Sequence, residues 1–134
     1  MTGNDVKNIL RKYLLSNVSG VDVFKDTHPP VTKKDNFERI VVNTLGLNGN
    51  SWREGFANVN WFVPYYTKRG YDEPDGARMT EVEAKLDKLF NKSLLFTLND
   101  EQMIVRMDSI KQEEEKQTFS YFINVKLELQ ITNF

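Results

Sequence analysis

A long alternating segment near the C-terminus constrains the fold more than any other part of the chain. Within residues 118–132, every odd-numbered position is apolar. These residues are Phe119, Tyr121, Ile123, Val125, Leu127, Leu129 and Ile131. Because strand side chains alternate between the two faces of a sheet, the segment predicts one strand with a continuous apolar face. A strand of roughly 45 Å exceeds the usual length, so we expect it to form the spine of a sheet and to project beyond the domain.

Two helices and five shorter strands are predicted before that segment. The first helix is predicted over residues 5–15, with Asn4 or Asp5 as its N-cap. The second is predicted to begin at Thr80, because Thr80 and Glu83 have the spacing of a capping box. Strands are predicted over residues 21–24, 38–45, 56–65, 94–98 and 103–110, and the charged run 111–116 is predicted to be a solvated hairpin tip.

The order helix, three strands, helix, three strands predicts an α+β fold. Most connections are short enough for antiparallel pairs, so we expect a single, mostly antiparallel sheet with a long C-terminal strand. The two helices are expected to pack on one apolar face of that sheet. At 134 residues, the chain is expected to form one domain over residues 1–134.

Composition excludes several classes of site. The chain has no cysteine, which excludes disulfides, thiolate metal sites and cysteine nucleophiles. Its formal net charge of −1 gives no global basic surplus for nucleic acid. The first residues lack a signal-peptide pattern, and no apolar run approaches the roughly 20 residues of a membrane span. We therefore expect a protein made in the cytoplasm, with no membrane partner.

His28 is the one histidine in the chain, and Asp22 and Asp26 lie close to it in sequence. These three side chains are a conceivable site for a divalent ion. An exposed turn histidine before a proline is the favoured interpretation, because one histidine and scattered carboxylates are a weak metal signature. We therefore predict no metal site.

The chain carries no recognisable catalytic or cofactor-binding motif. Neither a phosphate-binding glycine loop nor a G-x-S-x-G nucleophile turn is present. Asp72, Glu73 and Asp75 could supply paired carboxylates for acid–base chemistry, but a solvated loop explains them without a partner motif. We therefore predict no catalytic residue and no cofactor.

Two long loops, residues 46–55 and 67–78, carry the candidate interface residues. Long connections in a compact domain are usually functional or disordered. The candidates are Trp52, Arg53, Lys68, Arg69 and Tyr71. Tryptophan, tyrosine and arginine are enriched in interface hot spots, although Trp52 suits a cap on the core equally well. The basic and aromatic residues of the second loop also suit nucleic acid, but the acids that follow them cancel the charge.

The order of elements resembles the tail terminator and tail completion proteins of long-tailed bacteriophages. The likeness lies in the N-terminal helix, the strands ending at FANVNWFVPYY, the middle helix TEVEAKLDKLF, and the last hairpin with TFSYFINVKLELQIT. The final strand is similar to the Y-x-x-x-V-x-L-x-hydrophobic endings of such neck proteins, here Tyr121, Val125, Leu127 and Leu129. The likeness covers nearly the whole chain but assigns no individual functional residue.

The resemblance implies a structural phage or prophage virion protein and not an enzyme. It implies a homo-oligomeric ring, typically a hexamer, that caps the tail tube and presents the head-joining surface. The implied partners are copies of itself, the tail tube protein and a head-completion or connector protein. The implied location is the virion tail, after assembly in the host bacterial cytoplasm. Two other classes stay open: a small α+β ligand-binding domain or enzyme, and a nucleic-acid-binding module.

Overall fold

The computed structural model describes residues 1–45 and 54–133, which contain two α-helices and six strands. The helices are α1 (Gly3–Asn17) and α2 (Gly76–Phe90). The strands are β1 (Asp22–Lys25), β2 (Arg39–Leu45), β3 (Glu54–Pro64), β4 (Leu94–Leu98), β5 (Glu101–Glu115) and β6 (Ser120–Asn133), with a short 3-10 helix at Lys116–Thr118. The predicted α+β class, with one mostly antiparallel sheet and a long C-terminal strand, is confirmed.

The six strands form one sheet in the order β1-β2-β3-β6-β5-β4, and β1–β2 is the parallel pair. β6 pairs with β3 from Ser120 to Gln130 and with β5 from Ser120 to Asn133. The predicted projection of β6 beyond the domain is therefore wrong. β3 and β5 are long strands themselves, so both sides of β6 are paired within the same sheet.

The apolar side of β6 forms the centre of the core. Its odd-numbered residues from Ile123 to Ile131 are buried, and buried side chains of both helices pack in the same cluster. The predicted packing of both helices on one face is thus confirmed. Phe119 departs from the pattern, because it ends the 3-10 turn with a left-handed φ of 52° instead of starting the strand.

Helix α1 contacts both edges of the sheet. The Arg11 Nε donates a hydrogen bond of 2.8 Å to the Val23 carbonyl on β1. On the other side, the Tyr13 ring lies 5.5 Å from the Phe96 ring on β4. In a flat sheet these edge strands would be about 24 Å apart, whereas a helix is only about 10–12 Å wide. The sheet therefore curls around α1.

The N-terminus of α1 differs from the prediction. The cap is Thr2 and not Asn4 or Asp5, and Thr2 Oγ1 accepts a hydrogen bond from the Asp5 N–H at 3.1 Å. Asp5 Oδ2 accepts one in return from the Thr2 N–H at 2.8 Å, and this bond lowers the pKa of the Asp5 carboxyl. The two bonds form a capping box, with Asp5 in its second position.

The predicted start of the second helix at Thr80 is wrong by one turn. Asp75 is the N-cap, and its Oδ1 accepts a hydrogen bond from the Arg78 N–H at 3.2 Å. The Arg78 guanidinium also donates two hydrogen bonds of 2.8 Å to the Glu38 carboxylate. This bidentate pair between distant residues fixes the extra turn. Thr80 lies inside α2, where its hydroxyl donates to the Gly76 carbonyl at 3.0 Å.

A pair of substitutions distinguishes the observed start of α2 at Asp75 from the predicted start at Thr80. Asp75→Ala is expected to lower the free energy of unfolding by about 1 kcal/mol, because it leaves an end N–H of α2 without its acceptor. Thr80→Ala is expected to change it by less than about 0.5 kcal/mol. Urea denaturation of both variants measures the difference. A larger loss from Thr80→Ala would contradict the observed start.

The charged run 111–116 is not the hairpin tip. Lys111 to Glu115 continue β5 and pair with β6 from Asn124 to Ser120, so the turn consists of Lys116–Thr118. Beyond Val105, β5 has no pairing partner on its outer side among the described residues. Charged side chains are tolerated there because an edge strand leaves them in solvent.

Candidate functional site

The loop between β3 and α2 holds three of the predicted interface residues. An antiparallel bridge between Tyr66 and Glu73, with N···O distances of 2.9 and 3.3 Å, closes the base of this loop. At its tip, the Gly70 N–H donates to the Thr67 carbonyl at 3.1 Å, and Gly70 has a φ of +88° that favours glycine. The loop is therefore a closed turn, shorter than predicted because residues 76–78 belong to α2.

Lys68, Arg69 and Tyr71 lie on the solvent side of this turn. All three residues are exposed, and 55% of Tyr71 is accessible. The Arg69 guanidinium carbon lies 5.9 Å from the Tyr71 ring centre, and an Arg69 Nη lies 3.7 Å from the Glu73 carboxylate. These long contacts leave the arginine and the aromatic ring accessible to a partner. We call Lys68, Arg69 and Tyr71 the turn surface.

Each of the acidic residues that follow the turn surface contacts a different polar partner. Asp72 pairs with Lys33 at 2.7 Å, which ties the turn to the segment between β1 and β2. Glu73 faces Arg69, and Asp75 caps α2. Each of the three carboxylates therefore has a polar partner of its own. Residues 67–75 therefore carry two basic and three acidic side chains, and Lys33 pairs with one of the acids.

The other two predicted interface residues, Trp52 and Arg53, lie outside the described residues. Their flanking residues, Leu45 on β2 and Glu54 on β3, are described. Glu54 begins β3, whereas the turn surface follows Pro64 at the end of that strand. Eleven residues of strand span about 35 Å, so the two predicted loops leave the sheet at opposite ends.

A buried arginine on the sheet face opposite the helices was missed by the sequence analysis. Arg39 is fully buried, and its Nη1 donates to Asn36 Oδ1 at 3.0 Å and to the Phe37 carbonyl at 2.9 Å. Its guanidinium carbon lies 4.6 Å from the Phe62 ring centre. Burial lowers the pKa of this guanidinium to about 10, and the Glu115 carboxylate partly opposes that change.

Arg39 therefore holds the segment before β2 against the open face of the sheet. No carboxylate in residues 1–45 and 54–133 forms an ion pair with it. Its Nη1 donates to neutral acceptors and its guanidinium faces two aromatic rings, which offsets part of the cost of burial. Its Nε is buried and has no hydrogen-bond partner among those residues. An arginine at the start of an apolar strand gives no sequence signal of burial, so the burial of Arg39 was not predictable from the sequence.

Four asparagines on the same open face form a hydrogen-bonded chain across three strands. Asn124 Nδ2 donates to Oδ1 of Asn58 at 3.1 Å and of Asn60 at 2.7 Å. Asn58 Nδ2 donates to Asn43 Oδ1 at 3.1 Å. Asn58 and Asn60 alternate with apolar residues along β3, and their partners come from other strands. The chain of amides fixes strand register and offers no nucleophile or base.

His28 lies beside this asparagine chain. Its Nδ1–H donates to the Pro29 carbonyl at 2.7 Å, and its ring centre lies 5.8 Å from that of Phe62. The ring is half-buried and not a fully exposed turn residue. Asp26, one of its possible partners for a metal, instead pairs with Lys7 at 2.7 Å. Throughout the part of the chain that the structure describes, no three such side chains are placed to hold a metal ion.

A cleft of about 480 Å³ separates α1 from the outer edge of β4. Ile9 and Tyr13 of α1 and Phe96 of β4 form its apolar part. Asp5 and Lys12 lie on its rim. The Tyr13 hydroxyl donates to the Leu89 carbonyl at 2.8 Å, so the aromatic floor is held in place. Burial raises the pKa of the Tyr13 phenol.

Comparisons with known proteins give no family assignment. The chain matches no model of a known protein family, and a search of curated protein sequences finds no match. Neither described helix is long and apolar enough to cross a membrane.

Proposed function

We propose that this chain is a structural protein of a bacteriophage tail, of the tail terminator or tail completion type. In this proposal, copies of the chain form a ring, typically a hexamer, on the last ring of the tail tube. The ring stops tube growth and provides the surface that the head, through a head-completion or connector protein, then joins. The resemblance in element order suggests this function, and the geometry of the sheet gives it physical support.

The observation that carries the proposal is the length of β3, whose two ends are the points where the two candidate interface segments join the sheet. The turn surface follows one end of β3, and residues 46–53 precede the other end, about 35 Å away along the strand. A ring that caps a tube must bind the tube on one side and the head on the other. A rigid central sheet with a binding segment at each end suits that requirement.

The lateral edges of the sheet differ from each other, which also supports a ring. A closed ring uses heterologous contacts, in which one patch meets a different patch on the next subunit. On one side, Arg11 and Lys25 lie beside β1 and have neutral hydrogen-bond partners. On the other side, β5 carries three consecutive glutamates, Glu113 to Glu115, of which Glu113 pairs with Lys111 at 3.4 Å. Unlike charges at the two sides favour head-to-tail association.

The turn surface provides a specific test of the proposal. A double variant, Arg69→Ala with Tyr71→Ala, is expected to weaken attachment to the tail tube or to the head-joining partner at least about tenfold, since arginine and tyrosine dominate many interfaces. The measurement is co-sedimentation of the purified chain with tail tubes and, separately, with the head-joining protein. The free energy of unfolding is expected to stay within about 0.5 kcal/mol of the parent.

The matched control is Lys88→Ala, an exposed cation on α2 far along the chain from the turn. It is expected to attach normally to both partners. The whole proposal is tested by electron microscopy of phage tails assembled without this protein. Tubes of irregular length that fail to join heads are expected. Tubes of normal length carrying heads would refute the proposal and leave a ligand-binding domain as the next candidate.

A further inference from the structure

The free edges of the sheet are not equally protected against another strand. On β1, the Arg11 side chain already donates a hydrogen bond to the Val23 carbonyl, which points away from β2. On β5, the unpaired portion is rich in charge, including Glu113 and Glu114. Side-chain capping and charge are the usual means by which edge strands avoid pairing with other chains. Both of these edges therefore resist strand addition.

The outer edge of β4 lacks both kinds of protection. Its sequence, LLFTL, contains no charged residue and no proline. Within residues 1–45 and 54–133, β4 pairs with β5 alone, and no helix or loop backbone is hydrogen-bonded to it. Leu95, on the side away from the helices, is 60% exposed. The edge thus presents unpaired backbone donors and acceptors in an uncharged setting.

The cleft between α1 and β4 lies directly along this edge. A strand added beside β4 would run between β4 and α1, with alternate side chains directed to the apolar floor at Ile9, Tyr13 and Phe96. The rim supplies one acid, Asp5, and one base, Lys12, so its charges cancel. A volume of about 480 Å³ is ample for one or two large side chains.

We propose that this cleft is a docking groove for an extended, uncharged segment of a partner protein, which adds a strand to the outer edge of β4. An extended backbone satisfies a row of strand donors and acceptors, which a small ligand or a helix cannot do. Because the edge of β4 is uncharged and the rim charges of Asp5 and Lys12 cancel, the groove favours a segment without net charge. The inference is independent of the proposed ring, because it uses no residue of the turn surface or of residues 46–53.

The experiment selects random peptides of about ten residues, long enough to span β4, against the full chain. Selected peptides are synthesised, and their binding is measured by fluorescence anisotropy. We expect them to be uncharged, with alternating apolar residues. Bound peptide is expected to slow amide hydrogen exchange in β4, and to leave exchange in β1 unchanged.

Two variants and one matched control connect the binding to the groove. Leu95→Lys places a charge on the β4 edge at an exposed position, and Ser16→Trp fills the groove from its exposed α1 side. Each is expected to weaken peptide binding at least tenfold. Leu15→Lys adds the same charge at a residue that is 44% exposed and does not line the groove, so it is expected to bind normally. Urea denaturation confirms that each variant is folded.

Three outcomes would overturn the proposal. The first is the absence of any selected peptide, and the second is binding that neither Leu95→Lys nor Ser16→Trp weakens. The third is a dimer of the free chain that Leu95→Lys dissociates, because a second copy of β4 would then occupy the edge. Light scattering on the parent and on Leu95→Lys detects this last case.

Discussion

Replacement of Leu127 by alanine is expected to lower the free energy of unfolding by about 2–5 kcal/mol. Leu127 is fully buried in β6, opposite Ala57 of β3 and Met107 of β5. Because strands on both sides fix the backbone there, the site cannot collapse around the missing methyl groups. Equilibrium denaturation in urea, with an unchanged dependence on denaturant, measures the loss.

Lys126→Ala is the neighbouring control on the opposite face of the same strand. Lys126 is half-buried, and its Nζ lies 4.4 Å above the Phe56 ring. Loss of this contact is expected to cost about 0.5–1 kcal/mol, as for cation–π pairs near solvent. Equal losses from Leu127→Ala and Lys126→Ala would contradict the description of this face as open, and would indicate that it is covered in the native assembly.

Arg39→Ala is expected to lower the free energy of unfolding by about 3 kcal/mol. The change leaves a cavity beside Phe62, removes the Arg39 donor from the Phe37 carbonyl, and removes one of the two donors to Asn36 Oδ1. The segment before β2 is expected to detach locally from the sheet. Tryptic cleavage at Lys33 and Lys34 in that segment should therefore become faster.

Arg39→Met separates the contribution of packing to stability from the contribution of hydrogen bonding at the same position. Methionine retains much of the arginine volume and removes the cost of burying a charge, which the lowered pKa of Arg39 reflects. Its loss is expected to be smaller, about 1–2 kcal/mol, because the Phe37 carbonyl still lacks its Arg39 donor, whereas Asn36 Oδ1 keeps the bond from the Phe37 N–H. Equal stability of the alanine variant and the parent would show that Arg39 does not hold this segment.

The sequence determined the features that depend on local periodicity. The alternation from Ile123 to Ile131 predicted both the strand and its buried face, because side-chain direction in a strand repeats every two residues. The apolar residues of the two helices likewise recur at helical spacing, Val6, Leu10 and Leu14 in α1 and Val82, Leu86 and Leu89 in α2, and they form the faces that join the core. The proximity of Arg69 and Tyr71 followed from their closeness in the chain.

The features that depend on distant contacts were decided by the tertiary structure. The extra turn of α2 depends on the pairing of Arg78 with Glu38, forty residues away in sequence. β6 does not project, because β3 and β5 happen to be long enough to flank it. Sequence periodicity carries no information about the length or position of a neighbouring strand, so neither feature was predictable.

The candidate sites divide in the same way, into features that depend on local sequence and features that depend on distant contacts. The turn surface was predictable from residue type and loop length, whereas the buried Arg39, the asparagine chain and the groove beside β4 were not. Asn60 meets Asn124 because β3 and β6 pair in one register, and Tyr13 meets Phe96 because the sheet curls around α1. Strand order, register and curvature arise from packing across the whole domain. Among the described residues, these three properties decide where the polar face of the sheet lies and which free edge, that of β4, is uncharged.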